Sequence, residues 1–138
     1  MSRIQIIFPS HHIFSTDIPV RITDLNYGGH LGNDSMLSIL HEARVRFLQK
    51  FGYTELDVES VGIIMADVAI QFKSEAFYGE ILTIEIAINE IRRVSFELLY
   101  NIKCDKRTVA VAKTGMVFFD YVLKKVVSMP DIFKKRFS

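Results

Sequence analysis

"RITDLNYGGHLGNDSMLSILHEARVRFLQKFG", Arg21 to Gly52, changes character near its middle. Its first fourteen residues carry three glycines, two asparagines, two aspartates and a histidine, and the remainder is strongly apolar. Met36, Leu40, Ala43, Phe47 and Phe51 recur at spacings of three and four. Leu37, Ile39 and Leu48 widen that stripe, which predicts a helix that is largely enclosed. Asn33, Asp34 or Ser35 can cap the N–H groups at its start, and Lys50 in the last turn with Gly52 just beyond makes a C-terminal stop. Upstream, Ile18, Val20 and Ile22 alternate with Pro19, Arg21 and Thr23, predicting a half-buried strand with Pro19 at a sheet edge or strand start. The polar stretch therefore joins a strand to a helix.

Downstream the pattern becomes twofold. "GIIMADVAIQF" sets Ala66, Val68, Ile70 and Phe72 against Met65, Asp67, Ala69 and Gln71, and "EILTIEIAINEI" sets Leu82, Ile84, Ile86 and Ile88 against Thr83, Glu85, Ala87 and Asn89. "VSFELLYNIKCD" and "TVAVAKTGMVFFDYV" continue the strands across a short polar turn at Asp105, Lys106 and Arg107. One buried helix followed by a run of strands, without βαβ alternation, predicts an α+β domain: a long central helix against a curved antiparallel sheet. With no internal repeat, linker or low-complexity tract, a single domain over residues 1–138 is expected.

Hydrophobic residues make up 49% of the chain, more than a core of this size needs, so an interface or an apolar pocket is expected to take the surplus. Seventeen basic against sixteen acidic residues leave a net charge of +1, which argues against a nucleic-acid or polyanion surface. The single cysteine, Cys104, excludes an internal disulfide framework and a thiolate metal cluster, and fits a reducing cytoplasm. "MSRIQIIFPSHH" has an apolar run too short for a signal peptide, and no segment reaches the length of a membrane span, so neither export nor membrane insertion is expected.

Layout and residues together resemble the hotdog fold, specifically the 4-hydroxybenzoyl-CoA thioesterase-like acyl-CoA thioesterases. In that family a strand runs into V-R-F-x-D-x-D-x-x-G-H-V-N-N, which opens the central helix; this chain reads Val20, Arg21, Ile22, Thr23, Asp24, Leu25, Asn26, Tyr27, Gly28, Gly29, His30, Leu31, Gly32, Asn33. "LHEARVRFLQKFG" is similar to the family's E-A-R helix, "VAIQFKSEAFYGEILTIEIAINEIRRVSF" to its second and third strands, and "GMVFFDYVLKKVVSMPDIFKKRF" to its closing strand and tail. The resemblance covers nearly the whole chain. It implies hydrolysis of an acyl-CoA or acyl-carrier thioester by water, without metal or redox cofactor, in a homodimer or a dimer of dimers.

Such a reaction needs an oxyanion site and a group that positions or deprotonates water. Gly28 and Gly29 permit a turn whose N–H groups converge, and the helix behind them adds a positive dipole end; a plain strand-to-helix connection capped by Asn33 is the alternative. Asn26 departs from the family, which carries its nucleophilic or basic aspartate there, and a carboxamide can only hydrogen-bond. Asp24 matches the family's first aspartate and suits a turn-stabilising role. His30 can act as a base near neutral pH or can hold the loop together. Asp67, the one charged residue among apolar residues and glycine from Gly62 to Ala69, is the candidate replacement base, unless it lies on an outer sheet surface. Glu42, on the polar side of the helix with His41 and Arg44, is a third candidate base; His41 and Glu42 lack metal-ligand spacing, and an intrahelical ion pair is the plainer reading.

Arg92 and Arg93 stand at a turn where the family presents basic side chains to the CoA phosphates, which arginine binds with paired donors. Lys134, Lys135 and Arg136 read as a solvated face. Two other readings stay open: a noncatalytic acyl-thioester-binding domain, suggested by Asn26, and a hotdog dehydratase acting on 3-hydroxyacyl thioesters through His30 and a carboxylate.

Overall fold

A computed structural model describes residues 3–138. The strands β1 (Phe14–Pro19), β2 (Gly62–Phe72), β3 (Ile81–Asn89), β4 (Ser95–Cys104) and β5 (Arg107–Asp120) form an antiparallel sheet in the order β1-β3-β4-β5-β2, and the short β6 (Lys125–Val126) pairs with β5. Helix α1 (Asn33–Lys50) lies on one face, and α2 (Asp131–Phe137) closes the chain. The rows across the sheet follow from its register. Ile86 faces Tyr100 and then Ala112; Ile88 faces Leu98, Thr114 and then Val68. Ile86, Leu98, Tyr100 and Ala112 of these rows, with Leu82, Ile84, Phe96, Ile102, Met116 and Phe118, meet Met36, Ile39, Leu40, Ala43, Phe47 and Leu48 of α1 in one continuous core, whereas Val68 at the end of its row is exposed. Alternation along β3, β4 and β5 is the direct consequence of one face being covered by a helix.

The opposite face of the sheet is not bare. The N-terminal segment crosses it, with Ile6 packed against Ala87, Leu99 and Val111 and its N–H donating to Gln71 Oε1 at 3.1 Å. At one end of the core, Phe133 of α2 inserts among Phe96, Phe118 and Phe137, with ring centroids 4.7 to 5.1 Å away. Arg136 turns back from α2 over the rings of Phe51 and Tyr53 and donates to the Tyr53 hydroxyl at 3.1 Å, so only part of the basic run at the C-terminus is solvated.

Several local expectations are corrected. The strand before the polar stretch begins earlier and stops at Pro19, and Ile22 to Asp24 form a 3-10 turn that leaves Ile22 68% exposed. The cause is Asp24, whose carboxylate takes the Arg21 N–H at 2.8 Å and bends the chain. Helix α1 has Gly32 at its N-cap with no side-chain cap, so Asn33 is the first helical residue and not the cap. Its C-terminal stop is as expected, with Gly52 at φ +77°. Leu37 sits outside the core at 43% exposure. Along β2 the alternation fails at a bulge: the register shifts between Met65 and Asp67, and Met65, Ala66, Asp67 and Val68 are all exposed.

Phe133 carries the contact between α2 and the sheet. Phe133→Ala should therefore cost about 3–5 kcal/mol of unfolding free energy, measured by urea denaturation with an unchanged dependence on denaturant.

Candidate active site

The polar stretch folds as a small closed loop. Leu25 and Leu31 pair as an isolated bridge, and within it the Asn26 N–H donates to His30 O at 2.9 Å and the Gly29 N–H to Asn26 O at 3.1 Å. The Asn26 side chain closes the rest: its Oδ1 accepts the Gly28 N–H at 2.8 Å. Gly29 has φ +78°, where a side chain is strained. At Gly28 a Cβ would come within 3.0 Å of His30 Nε2, so a side chain there would press on the imidazole. These bonds revise the assignment of the oxyanion donors, because both glycine N–H groups are spent inside the loop. The free donors lie four to six residues beyond Gly29. In any helix the first N–H groups lack intrahelical partners, and at α1 no side chain caps those of Asn33, Asp34 and Ser35.

Fixing the Asn26 carboxamide also fixes its neighbour. With Oδ1 committed to Gly28, the donor Nδ2 faces His30 Nδ1 at 3.4 Å. That bond requires the tautomer with the proton on Nε2, which lies 3.6 Å from Glu75 Oε1. The competing tautomer has only Leu31 O, at 3.4 Å from Nδ1. Glu75 stands in the segment after β2, which is tied to the loop by the Leu31 N–H donating to Ala76 O at 2.7 Å. A cavity of about 300 Å³ opens between the two, lined by His30, Asn33, Met36, Phe72, Glu75 and Val109.

The wall carrying Glu75 is held by Glu80 and Arg107. Glu80 Oε1 accepts the Phe77 N–H and Arg107 Nη2, both at 2.8 Å, and Arg107 Nη2 also donates to Glu75 O at 3.2 Å. Burial disfavours the Glu80 charge, but the Phe77 amide and Arg107 outweigh it and hold the carboxyl below its ordinary value. Neither Glu75 nor Glu80 stands out in the sequence. Each sits in an ordinary polar turn, and only the pairing of that turn with residues 30 and 31 gives it a role.

Other sequence candidates lie elsewhere. Asp24 is 3% exposed and binds the Arg21 N–H and guanidinium, so it builds the turn and does not face a ligand. Asp67 is exposed on β2, where its Oδ1 accepts the Gly115 N–H at 3.0 Å beside the bulge. It is five residues, roughly 17 Å, along β2 from Phe72 at the cavity, so within one chain it neither meets Asn26 nor occupies an apolar site. Arg92 pairs with Glu90, and the Arg93 carbonyl accepts the Met129 N–H. Both lie near the Ser95–Val117 end of the sheet, roughly 26 Å along β5 from Val109. Glu42 pairs with Arg46 at 2.9 Å, whereas His41 and Arg44 both bind Glu55. Among the described residues, no three His, Cys, Asp or Glu side chains are grouped so as to hold a metal ion. No helix among them is long and apolar enough to cross a membrane.

Residues 20–137 match the model of a family described as the thioesterase-like superfamily. A 1,4-dihydroxy-2-naphthoyl-CoA hydrolase of Microcystis aeruginosa is 27% identical over 118 residues, 83% of this chain and 86% of that one. A 1,4-dihydroxy-2-naphthoyl-CoA thioesterase from Synechocystis has a similar structure, with a TM-score of 0.79 and 20% identity over 88% of this chain and 93% of that one. A gentisyl-coenzyme A thioesterase gives a TM-score of 0.80 and 20% identity over 91% of this chain and all of that one, 100%. These likenesses agree with the hotdog arrangement of α1 against a curved sheet.

The Glu80 carboxylate gives a test of how the wall is held. Its folded-state value lies below the ordinary 4.5, so its stabilisation is complete above that pH and is lost as the pH falls through the lower value. Glu80→Gln should lower the urea midpoint at pH 7, and its difference from wild type should shrink at pH 3.

Proposed function

The chain belongs to the thioesterase-like superfamily, and from that premise we propose that it hydrolyses an acyl-CoA thioester to acid and free thiol in the cavity between the Asn26–His30 loop and Glu75. The observation that carries this reading is a carboxylate facing an uncapped helix start across one cavity. The thioester carbonyl oxygen takes the N–H groups that open α1, where the dipole favours the negative charge of the tetrahedral intermediate. Glu75 accepts a proton from the attacking water, and His30 Nε2–H, oriented by Asn26, steadies the carboxylate. Collapse of the intermediate breaks the C–S bond, and the thiolate leaves with the proton that Glu75 took. Asn26 is thus a positioning residue.

The relatives' names point to aryl-CoA substrates, and the apolar lining from Met36, Phe72 and Val109 supports an aryl group. Cys104, buried and unpaired, fits a cytoplasmic enzyme. Glu75→Gln should lower kcat by ~10² or more, as loss of a general base does, with thiol release followed by a chromogenic reagent. His30→Gln should cost less. Near-normal turnover in Glu75→Gln, with the larger loss in His30→Gln, would move the base to the imidazole.

We also propose a homodimer through β2. Its outer edge is unpaired, and Met65, Val68 and Phe72 are exposed along it, an arrangement that invites pairing with a second chain. Arg92 and Arg93, remote from the cavity of their own chain, would meet a CoA only from the second subunit. Val68→Asp should weaken dimerisation by ~10²-fold, read by analytical ultracentrifugation; an unchanged dimer would place the contact elsewhere.

A further inference from the structure

The outward edge of β2, the last strand of the sheet, is not uniform along its length. Near its start both backbone groups of Ile63 are taken from within the chain: the N–H donates to Glu55 O at 2.8 Å, and the carbonyl accepts the Tyr121 hydroxyl at 2.9 Å. To reach that carbonyl the Tyr121 ring lies against Gly62, where a Cβ would collide with it. Gly62 makes room for the ring. Glu55 is itself held, because its carboxylate binds His41 and the buried Arg44 of α1. The edge is therefore closed at Ile63 by groups from two separate parts of the chain.

Beyond Ile63 the edge is open. Successive residues of an antiparallel strand turn their N–H and C=O groups to opposite sides, so Ile64 faces β5 and Met65 faces outward. A bulge then counts Ala66 and Asp67 as one position. At the far end the Lys73 N–H donates to Val109 O at 2.8 Å, which turns Lys73, Gln71 and Ala69 toward β5 and leaves Val68, Ile70 and Phe72 facing outward. The Ser74 N–H donates to the same oxygen, so the chain bends off the edge just after Phe72. The open run is thus Met65, Val68, Ile70 and Phe72, bounded at both ends.

We infer that Glu55 and Tyr121 act as a stop that fixes the register in which a second copy of this chain pairs along β2, with Ala69 on the twofold axis. The inference rests on the β2 dimer proposed above and adds its register. Two antiparallel copies pair the open run with its own reverse: Met65 meets Phe72 and Val68 meets Ile70, so each outward N–H and C=O finds a partner. At the axis the two Ala69 residues form a pair without backbone bonds, where Cα atoms approach to about 4.5 Å, and a small side chain suits that approach. A competing register is centred on Val68. It sets Met65 against Ile70 and Ile63 against Phe72 and engages a longer stretch of edge, but the bonds at Ile63 are already taken by Glu55 and Tyr121. The plainer role for Tyr121, pinning its turn to β2, predicts no effect on how two copies meet.

Cysteine cross-linking tests the register, with wild type, whose lone Cys104 is buried, as the control. Under mild oxidation the Ala69→Cys dimer should be linked nearly completely on a non-reducing gel, because a Cα separation of about 4.5 Å lies within the disulfide range. Gln71→Cys, facing the bulge of the second copy, should stay unlinked. Tyr121→Phe added to Ala69→Cys frees the Ile63 carbonyl and should slow linking about fivefold, the worth of one hydrogen bond. A folded dimer that links at the unchanged rate overturns the stop. Gln71→Cys linking to itself, or Ala69→Cys staying unlinked in a dimer that Val68→Asp weakens, overturns the register and leaves the β2 dimer standing. If wild type sediments as a monomer at micromolar concentration, the β2 dimer fails and the register falls with it.

Discussion

A carboxylate as enclosed as that of Asp24 must find donors inside the protein, and the donors it finds set the path of the chain. Its oxygens take the Arg21 N–H and guanidinium, its own N–H donates to Arg21 O, and its carbonyl accepts the Gly32 N–H at 2.9 Å. One residue thereby joins the end of β1 to the start of α1. The Gly32 contact fixes the N-cap, and hence which N–H groups remain free at the helix start. A Cβ on Gly32 would fall in ordinary contact with Asp24 O at 3.7 Å but 2.9 Å from Asp34 Oδ1, so the Asp34 side chain would have to swing aside. The loop between, with Asn26 and His30, is positioned as a consequence of this closure.

What could be read from the residues was decided by burial. Leu82, Ile84 and Ile86 alternate because β3 has a helix on one face and strands on both sides, and the same holds for β4 and β5. Helix α1 was legible for the same reason, and Leu37 misled because it lies at the edge of the buried stripe, 43% exposed beside β2. In β2 the bulge between Met65 and Asp67 interrupts the period of two, and Val68 and Phe72 are exposed in this chain, so their alternation with Asp67 did not report which face is buried. The glycines announced a special turn, but the sequence could not tell that Asn26 and the loop backbone would absorb their N–H groups. Asp67 drew attention as a charge in an apolar run, and it proves to brace a bulge. Glu75 drew none, because its partner His30 is forty-five positions away in a segment of different pattern.

The amide at position 26 is coherent with this arrangement. A carboxamide can accept from Gly28 and donate to His30 at the same time, whereas a carboxylate offers only acceptors. An aspartate there would satisfy the glycine and call for the proton on His30 Nδ1, turning a lone pair toward Glu75. Asn26 instead directs a donor at Glu75, which leaves the carboxylate as the proton acceptor of the proposed reaction. In the proposed reaction, the amide at this one position thus leaves the base to the other side of the cavity, with the loop held by the same backbone bonds. The helix start supplies the complementary charge, and the wall that carries Glu75 is fixed through Glu80 and Arg107, so the two sides of the cavity are set by bonds that do not themselves contact a substrate.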